Sequence, residues 1–459
     1  MADLSLYARL TTARAFIRTR YLSRRLRSRA DIERWQARRL MSFLQVTAPR
    51  VEAFSSMADQ PLSAYPTMDK VQLMNNFHQY NRYGITADAG WQAFNDGQML
   101  AGCHVGASTG TSGNRSLYLV NNRERYEWLG IMLAKCIPDI LSQRHRVAIM
   151  LPANSSLYDA ANDSGRVVLR FFDLHEGIDA HFDALQQFSP TIIVAPPKVL
   201  RVLAEAALQI RPDRLFSGAE VLDPNDRAII ESHFRITLGE IYMATEGLFA
   251  VACQHGSLHL AEDAVKFEWE DDPEGGPLAA PIVTDFSRRT QVMIRYRMND
   301  LLQLSDTPCA CGSALQAVTA VVGRMDDVFL LPAAHGSRNN IHDDPLAGAR
   351  DGARKEIRTI TPDVIRNTVL GADRSIDDFR VVQTGRDSVK LILAPGCESQ
   401  LKEASCAMQA LFNRLAVTVN VTSRCEQLPP PASRKLRRVE RQYQPDKVSS
   451  TRNTWGIVN

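Results

Sequence analysis

"RVAIMLP" at 146–152, "VVLRFF" at 167–172 and "TIIVAPP" at 191–197 are three short apolar runs in a chain of 459 residues. They alternate with helix-sized segments, the first being "NRERYEWLGIMLAKCIPDIL" at 122–141. Runs of this length spaced in this way read as βαβ units and a mostly parallel sheet. "PPKVLRVLAEAALQI" opens a helix with Pro197 in its first turn, and "LDPNDRAIIESHF" opens another with Asp223 as N-cap before Pro224. Helices are therefore expected to cover the sheet.

The pattern changes after residue 330. "PAAHGSRNNIHDDPLAGARDGARKE" at 332–356 is rich in Gly, Asp, Asn and charge and lacks apolar periodicity, which reads as a linker or insertion. Beyond it, "DFRVVQTGRDSVKLILAP" alternates about a Gly-Arg-Asp turn as a hairpin does, "ESQLKEASCAMQALFNRL" reads as a helix and "VTVNVTS" as a strand. The expected fold is α/β: a large N-terminal domain with helix-covered, mostly parallel sheets, plus a small mobile α+β C-terminal domain. The expected boundaries are 1–328 for the large domain, 329–355 for hinge and linker, and 356–459 for the small domain.

Composition is that of an ordinary globular protein, 45% hydrophobic and 23% charged, with no apolar run approaching a bilayer span. The net charge of +3 hides an asymmetry. Residues 1–50, a basic helical arm, carry twelve arginines against Asp3, Asp31 and Glu33, a surplus of +9 that leaves −6 for the remainder. Such an arm suits nucleic acid, an anionic membrane surface or a transit peptide. The competing reading is a docked helix with a solvated basic side, because Ser28 and Asp31 form a capping-box pattern and Ile32, Trp35, Leu40 and Phe43 share one face. Eight cysteines and no secretory signal at the start point to a reducing, cytoplasmic setting.

Four stretches carry candidate chemistry. "GASTGTSGN" at 106–114 combines glycines, which let backbone N–H groups turn toward an anion, with the hydroxyls of Ser108, Thr109, Thr111 and Ser112. Alone it fits a phosphate nest or an ordinary loop, and it lacks the Gly-Lys-Ser/Thr ending of a Walker loop. "IYMATEG" at 241–247 presents Thr245 and Glu246 at a strand end, where a carboxylate can ligate Mg²⁺ and a hydroxyl can contact phosphate. "IRYRMNDLLQL" at 294–304 places Asp300 after an alternating apolar and arginine strand. "VVGRMDDVFLL" at 321–331 supplies Arg324, Asp326 and Asp327 just before the linker. A carboxylate such as Asp300 can accept both hydroxyls of a ribose, and Arg324 can donate to the same sugar or to a phosphate.

In this order, the four stretches followed by a small C-terminal domain resemble the adenylate-forming superfamily of acyl-CoA ligases, luciferases and nonribosomal-peptide adenylation domains. Within it, "GTSGN", "ATEGLFAVACQHGSLHLAED" and "CACG" look most like the phenylacetate-CoA ligase branch and its capsule-biosynthesis-like and deazaflavin-coenzyme adenylating relatives. The resemblance implies that Ser108, Thr109, Gly110, Thr111, Ser112 and Gly113 hold the phosphates of ATP. Ser217, Gly218, Ala219 and Glu220 ("SGAE") with Tyr242 would line the adenine, and Thr245 with Glu246 would hold the α-phosphate and Mg²⁺. Asp300 and Arg324 would bind ribose, and Asp326 would be the hinge about which the small domain swings. Lys435 in "PPPASRKLRRVER" matches the family's catalytic lysine, which stabilises charge developing at the α-phosphate. The chain departs from the pattern at Asn114 and Arg115 in place of the loop's lysine, at Asn299 in place of a glycine, and at Arg434.

The activity so implied is ATP-dependent adenylation of a carboxylic acid, aromatic by analogy with the branch, and transfer of the acyl group to the thiol of coenzyme A or of a carrier-protein phosphopantetheine. "LPANSSLYDA" at 151–160 is the candidate acyl-pocket wall. An alternative within the fold is an adenylyltransferase that leaves AMP on a hydroxyl of a coenzyme. A third, non-catalytic reading has the arginine arm docking on nucleic acid or a membrane surface, and requires that arm to be disordered without its partner. The ligase reading expects no nucleic-acid partner and is compatible with a homodimer.

Cys253 and His259, then Cys309 and Cys311, give C-x₅-H and C-x-C pairs whose three thiolates and one imidazole suit a closed tetrahedral Zn²⁺ site. Buried free cysteines are the alternative, and His255 is a competing ligand.

Overall fold

The structure is a computed structural model, and the residues it describes are 6–108, 115–151, 166–206, 208–271, 278–334, 357–373, 375–376, 378–428 and 437–445. The three apolar runs form strands His145–Leu151, Val167–Asp173 and Ile192–Ala195. With Arg214–Gly218 and Leu238–Ala244 they make five neighbouring parallel strands, in the order 167–173, 145–151, 192–195, 214–218, 238–244. Helix Asn122–Cys136 buries Ile131 and Ala134 on one face of these strands. Helices Phe182–Phe188, Pro197–Glu205 and Pro224–Phe234 bury Leu185, Leu200, Leu203 and Ile230 on the other. Pro197 lies in the first turn of its helix, and Asp223 caps its own by accepting from the Asn225 N–H at 2.9 Å.

From residue 238 onward the sheet becomes antiparallel. Leu238–Ala244 is followed across the sheet by Gly247–Ala252, Leu258–Leu260, Ala317–Arg324, Asp300–Leu304, Leu278–Asp285 and Val265–Asp271. The parallel character read from 145–195 thus covers five strands of the twelve-stranded sheet, because the later connections are too short for crossover helices. The strand expected to lead into Asp300 is broken. Tyr296–Arg297 pairs with Ile282 and Val283, the chain bulges at 298–299, and a new strand starts at Asp300 against Leu278 and Ala279 of the same partner. Arg295 lies in the left-handed region (φ 50°), anchored to the Tyr65 carbonyl and Glu268.

The arginine-rich arm is packed. Helix Leu6–Arg25 lies on Asn122–Cys136, so close at Gly130 that a Cβ there would meet the Thr12 carbonyl oxygen at 2.3 Å. Helix Arg29–Val46 starts at the expected Ser28/Asp31 capping box and is held by Trp35 Nε1 donating to Asp263 O (2.9 Å) and by an Arg29–Glu262 ion pair (2.7 Å). The reading that needs a disordered arm is not supported.

C-terminal to residue 328 the chain builds a second core from Phe329, Ile365, Phe379, Leu391, Met408 and Phe412. Its four-stranded sheet has the order Asn420–Cys425, Ser388–Leu393, Phe379–Gln383, Val439–Arg441, packed with helices Pro362–Ala372 and Glu398–Arg414. The hairpin, helix and strand expected there are all present.

Candidate active site

The carboxyl ends of parallel strands are where open α/β sheets bind ligands. Here the ends of Arg214–Gly218 and Leu238–Ala244 lie side by side, Gly218 in register with Ile241. "SGAE" and Tyr242–Glu246 are therefore neighbours. Ser217 is 1% exposed and its Oγ is a buried polar atom with no hydrogen-bond partner among the described residues. Ala219 takes a left-handed conformation (φ 69°), turning the chain out of the sheet.

Tyr242 Oη donates to Asp300 Oδ2 at 2.6 Å, joining the last parallel strand to an antiparallel one. Burial and the neighbouring Asp300 carboxylate hold the phenol well above its ordinary pKa, so it remains a donor at working pH. Asp300 faces Arg324 across the 300–304 and 317–324 ladder, which sets an anion and a cation opposite each other.

Thr245 and Glu246 form the turn into Gly247–Ala252. Thr245 Oγ1 donates to Glu246 Oε2 (2.8 Å), Tyr296 Oη donates to Glu246 Oε1 (2.9 Å), and Ser116 Oγ lies 3.2 Å from Thr245 Oγ1. The Arg288 guanidinium donates to the carbonyls of Glu246 (2.8 Å) and Leu119 (3.1 Å), fixing the turn against the strand Leu117–Asn121. Each Glu246 oxygen accepts one neutral donor, and a carboxylate oxygen so occupied keeps lone-pair capacity for a hard cation such as Mg²⁺.

The Gly/Ser/Thr loop leaves and rejoins a hairpin of Cys103–Ala107 and Leu117–Asn121. Its ends are tied by Ser108 N–H to the Ser116 carbonyl and Ser116 N–H to Ser108 Oγ, both 2.8 Å. Arg115 stacks on Trp91 (5.0 Å) and Phe94 (5.5 Å). Thr109, Gly110, Thr111, Ser112 and Gly113, like Lys435 and the 152–160 part of the acyl-pocket stretch, lie outside the described residues.

Beside Arg324, Asp326 N–H donates to Asn299 Oδ1 at 3.3 Å, so Asn299 braces the expected hinge residue. Asp327, 4% exposed, receives the Arg437 guanidinium on both oxygens, Nε lying 2.8 and 2.9 Å away. Burial outweighs this partner and the Asp327 carboxyl is pushed up to about 6. Arg366 and Arg438 meet Asp223 at 3.5 and 3.4 Å, directly after "SGAE". Gly323 lets Pro362 approach, since a Cβ there would lie 3.0 Å from the proline ring.

Cys253, His259, Cys309 and Cys311 converge, all four ligand atoms within 4.8 Å of one another. Cys253 Sγ lies 3.7 Å from Cys309 Sγ, and Cys311 Sγ lies 3.3 Å from His259 Nε2. His259 Nδ1 donates to the Leu315 carbonyl at 3.0 Å, leaving Nε2 as the ligating nitrogen, and backbone N–H groups of His255 and Ser313 donate to the sulfurs of Cys253 and Cys311. His255 contributes its backbone, not its ring. These donors and separations fit a tetrahedral Zn²⁺ with bonds of about 2.0–2.3 Å.

Ser116, Arg288, Tyr296, Arg366, Arg437 and Arg438 were not among the residues expected at the site, and Asp223 was expected only as a helix cap. Tyr296 lies within the quoted "IRYR" and a hydroxyl was its only signal; the others act through contacts more than 40 residues apart along the chain.

No protein-family profile and no curated protein sequence matches the chain. Solved structures do. The chain is similar to 2-hydroxyisobutyryl-CoA ligase in the postadenylation state, bound to R3-HIB-AMP (TM-score 0.63, 16% identity) or 2-HIB-AMP (0.63, 18%), in both cases over 91% of each chain. An open conformation of that ligase with 2-HIB-AMP and CoA matches at TM-score 0.54 and 16% identity, over 91% of this chain and 93% of that one. The fold is thus that of the adenylate-forming ligases, as the order of motifs implied. All eight cysteines are free, and no helix among the described residues is long and apolar enough to cross a membrane.

Proposed function

We propose that this chain is an ATP-dependent acid–thiol ligase of the adenylate-forming superfamily, dividing at residues 328 and 355 into a large domain, a linker and a small domain. The observation that carries the reading is the arc Ser116–Thr245–Glu246–Tyr296 beside Tyr242–Asp300–Arg324, at the carboxyl ends of parallel strands. Hydroxyls suited to phosphate, a carboxylate suited to a metal and a carboxylate suited to a sugar support a nucleotide site there.

In the first half-reaction a carboxylate oxygen of the acid attacks the α-phosphorus of ATP, the bond to pyrophosphate breaks, and acyl-AMP forms. Ser108 and the following loop through Gly113 hold the phosphates, Thr245 donates to the α-phosphate, and "SGAE" with Tyr242 walls the adenine. Asp300, oriented by Tyr242, and Arg324 hold the ribose. Glu246 would hold Mg²⁺, which offsets phosphate charge when bound. Lys435 stands two residues before the Arg437 that Asp327 grips, and it supplies the cation for charge building on the α-phosphate. In the second half-reaction a thiol sulfur of coenzyme A or a carrier protein attacks the acyl carbon and AMP leaves, after rotation about Asp326. The acid is aromatic by likeness to the phenylacetate branch. The Cys253, His259, Cys309 and Cys311 site holds a structural Zn²⁺.

The test is a panel of benzoates, phenylacetates, cinnamates and aliphatic acids, each incubated with ATP, Mg²⁺ and CoA while AMP release and free thiol are followed. One acid that drives equal AMP release and thiol loss supports the ligase. AMP retained on a hydroxyl acceptor with no thiol loss would contradict it.

A further inference from the structure

Helix Leu6–Arg25 has two apolar faces. Ala8, Ala15, Phe16, Thr19 and Leu22 are buried against the body. On the opposite side Leu6, Tyr7, Leu10, Ile17 and Tyr21 are 73, 54, 61, 63 and 58% exposed. At 100° per residue these five fall within one stripe about 100° wide. Arg14 lies within the stripe, Arg9, Arg20, Arg24 and Arg25 flank or end it, and the helix contains no acidic residue. An exposed apolar stripe rimmed by one sign of charge marks an interaction surface.

We infer that the outer face of Leu6–Arg25 is a docking surface for an anionic phospholipid bilayer, lying flat with its aliphatic and tyrosine side chains at the headgroup boundary. The charge pattern selects this occupant. A second copy would press two acid-free, arginine-rich helices together, which like-charge repulsion opposes, and the Leu and Ile at the stripe's centre suit acyl chains better than a polar nucleic-acid backbone. Arginines beside such a stripe lay their stems along apolar surface and bring their guanidinium groups to lipid phosphates.

One margin of the stripe adds a place for such a phosphate. Arg18 lines a pocket with Arg39 and Arg289. Glu127 and Asp263 also line it, but Glu127 is already paired with Arg123 and Arg289, and Asp263 with Lys135. Burial and the neighbouring Arg18 and Arg289 pull the Arg39 guanidinium below its ordinary value, against the opposing charge of Glu127.

The experiment is co-sedimentation of the full chain with phosphatidylcholine vesicles and with vesicles containing phosphatidylserine, at low and high salt. Binding should need phosphatidylserine and fall with salt. Combined Leu10→Ser, Ile17→Ser and Tyr21→Ser should abolish it while leaving the thermal transition in place. Combined Arg14→Glu, Arg24→Glu and Arg25→Glu, all exposed, should weaken it by about a hundredfold or more. Equal binding to both vesicle types, or none, would overturn the proposal. So would light scattering that shows a dimer which the serine variant splits, since the stripe would then belong to a second copy.

Discussion

The strands Asp300–Leu304 and Ala317–Arg324 carry a polar cluster at each end. At one end Asp300 and Arg324 face each other beside Tyr242 and the Thr245–Glu246 turn. At the other, the connecting loop brings Cys309 and Cys311 onto Cys253 and His259. In the first cluster the hydroxyls of Tyr242, Thr245 and Tyr296 donate to the carboxylates of Asp300 and Glu246, and each Glu246 oxygen keeps capacity for a further partner. In the second, four soft ligands point at one centre and backbone groups support them. The first arrangement suits a ligand that comes and goes, the second one that stays. On the proposed function, one ladder would carry an exchangeable site at one end and a fixed metal support at the other.

The largest expected effect lies at the fixed end. Cys309→Ser combined with Cys311→Ser should purify without stoichiometric zinc and melt about 10 °C lower than the parent. Equal metal content and melting temperature in parent and variant would remove the distinction between the clusters. At the exchangeable end, Glu246→Gln should cut acid-dependent turnover about 100-fold with little change in melting temperature. Zinc loss in that variant would mean the two ends are not independent. Tyr242→Phe deletes only the phenol that orients Asp300, so KM for ATP should rise about tenfold with kcat less affected.

The smallest effect concerns the link to the C-terminal region. Because Asp327 titrates near 6 in the folded chain, above the ordinary carboxylate value, the folded state binds the proton more tightly than the unfolded one. Its contribution to stability is therefore present at low pH and lost as pH rises toward and through 6. Urea midpoints at pH 4.5 and 7.5 should show that component in the parent and not in Asp327→Asn.

Much of this was legible along the chain. The runs at 146–152, 167–172 and 191–197 became parallel strands because period and length leave an apolar run between helices little other choice, and the Ser28/Asp31 box and Asp223 cap are local chemistry read within four residues. The cysteine and histidine pairs were legible because C-x₅-H and C-x-C each put two soft ligands within a few residues of one another. The antiparallel half was less so, since hairpin strands such as 247–252 and 258–260 carry no helix between them to mark a boundary. The break before Asp300 depends on Arg295 reaching Tyr65 and Glu268, a contact between distant segments that no local pattern encodes. Arg437 on Asp327, 110 residues apart, is of the same kind.

The central claim, that the exchangeable cluster activates a carboxylic acid at the α-phosphate of ATP, is tested most directly by ATP–pyrophosphate exchange over the acid panel with the parent and Lys435→Ala. Exchange that requires one acid and falls about 100- to 1,000-fold in the variant is the predicted result. An ATP-binding parent that exchanges with no acid, or a variant that exchanges as fast as the parent, would contradict it.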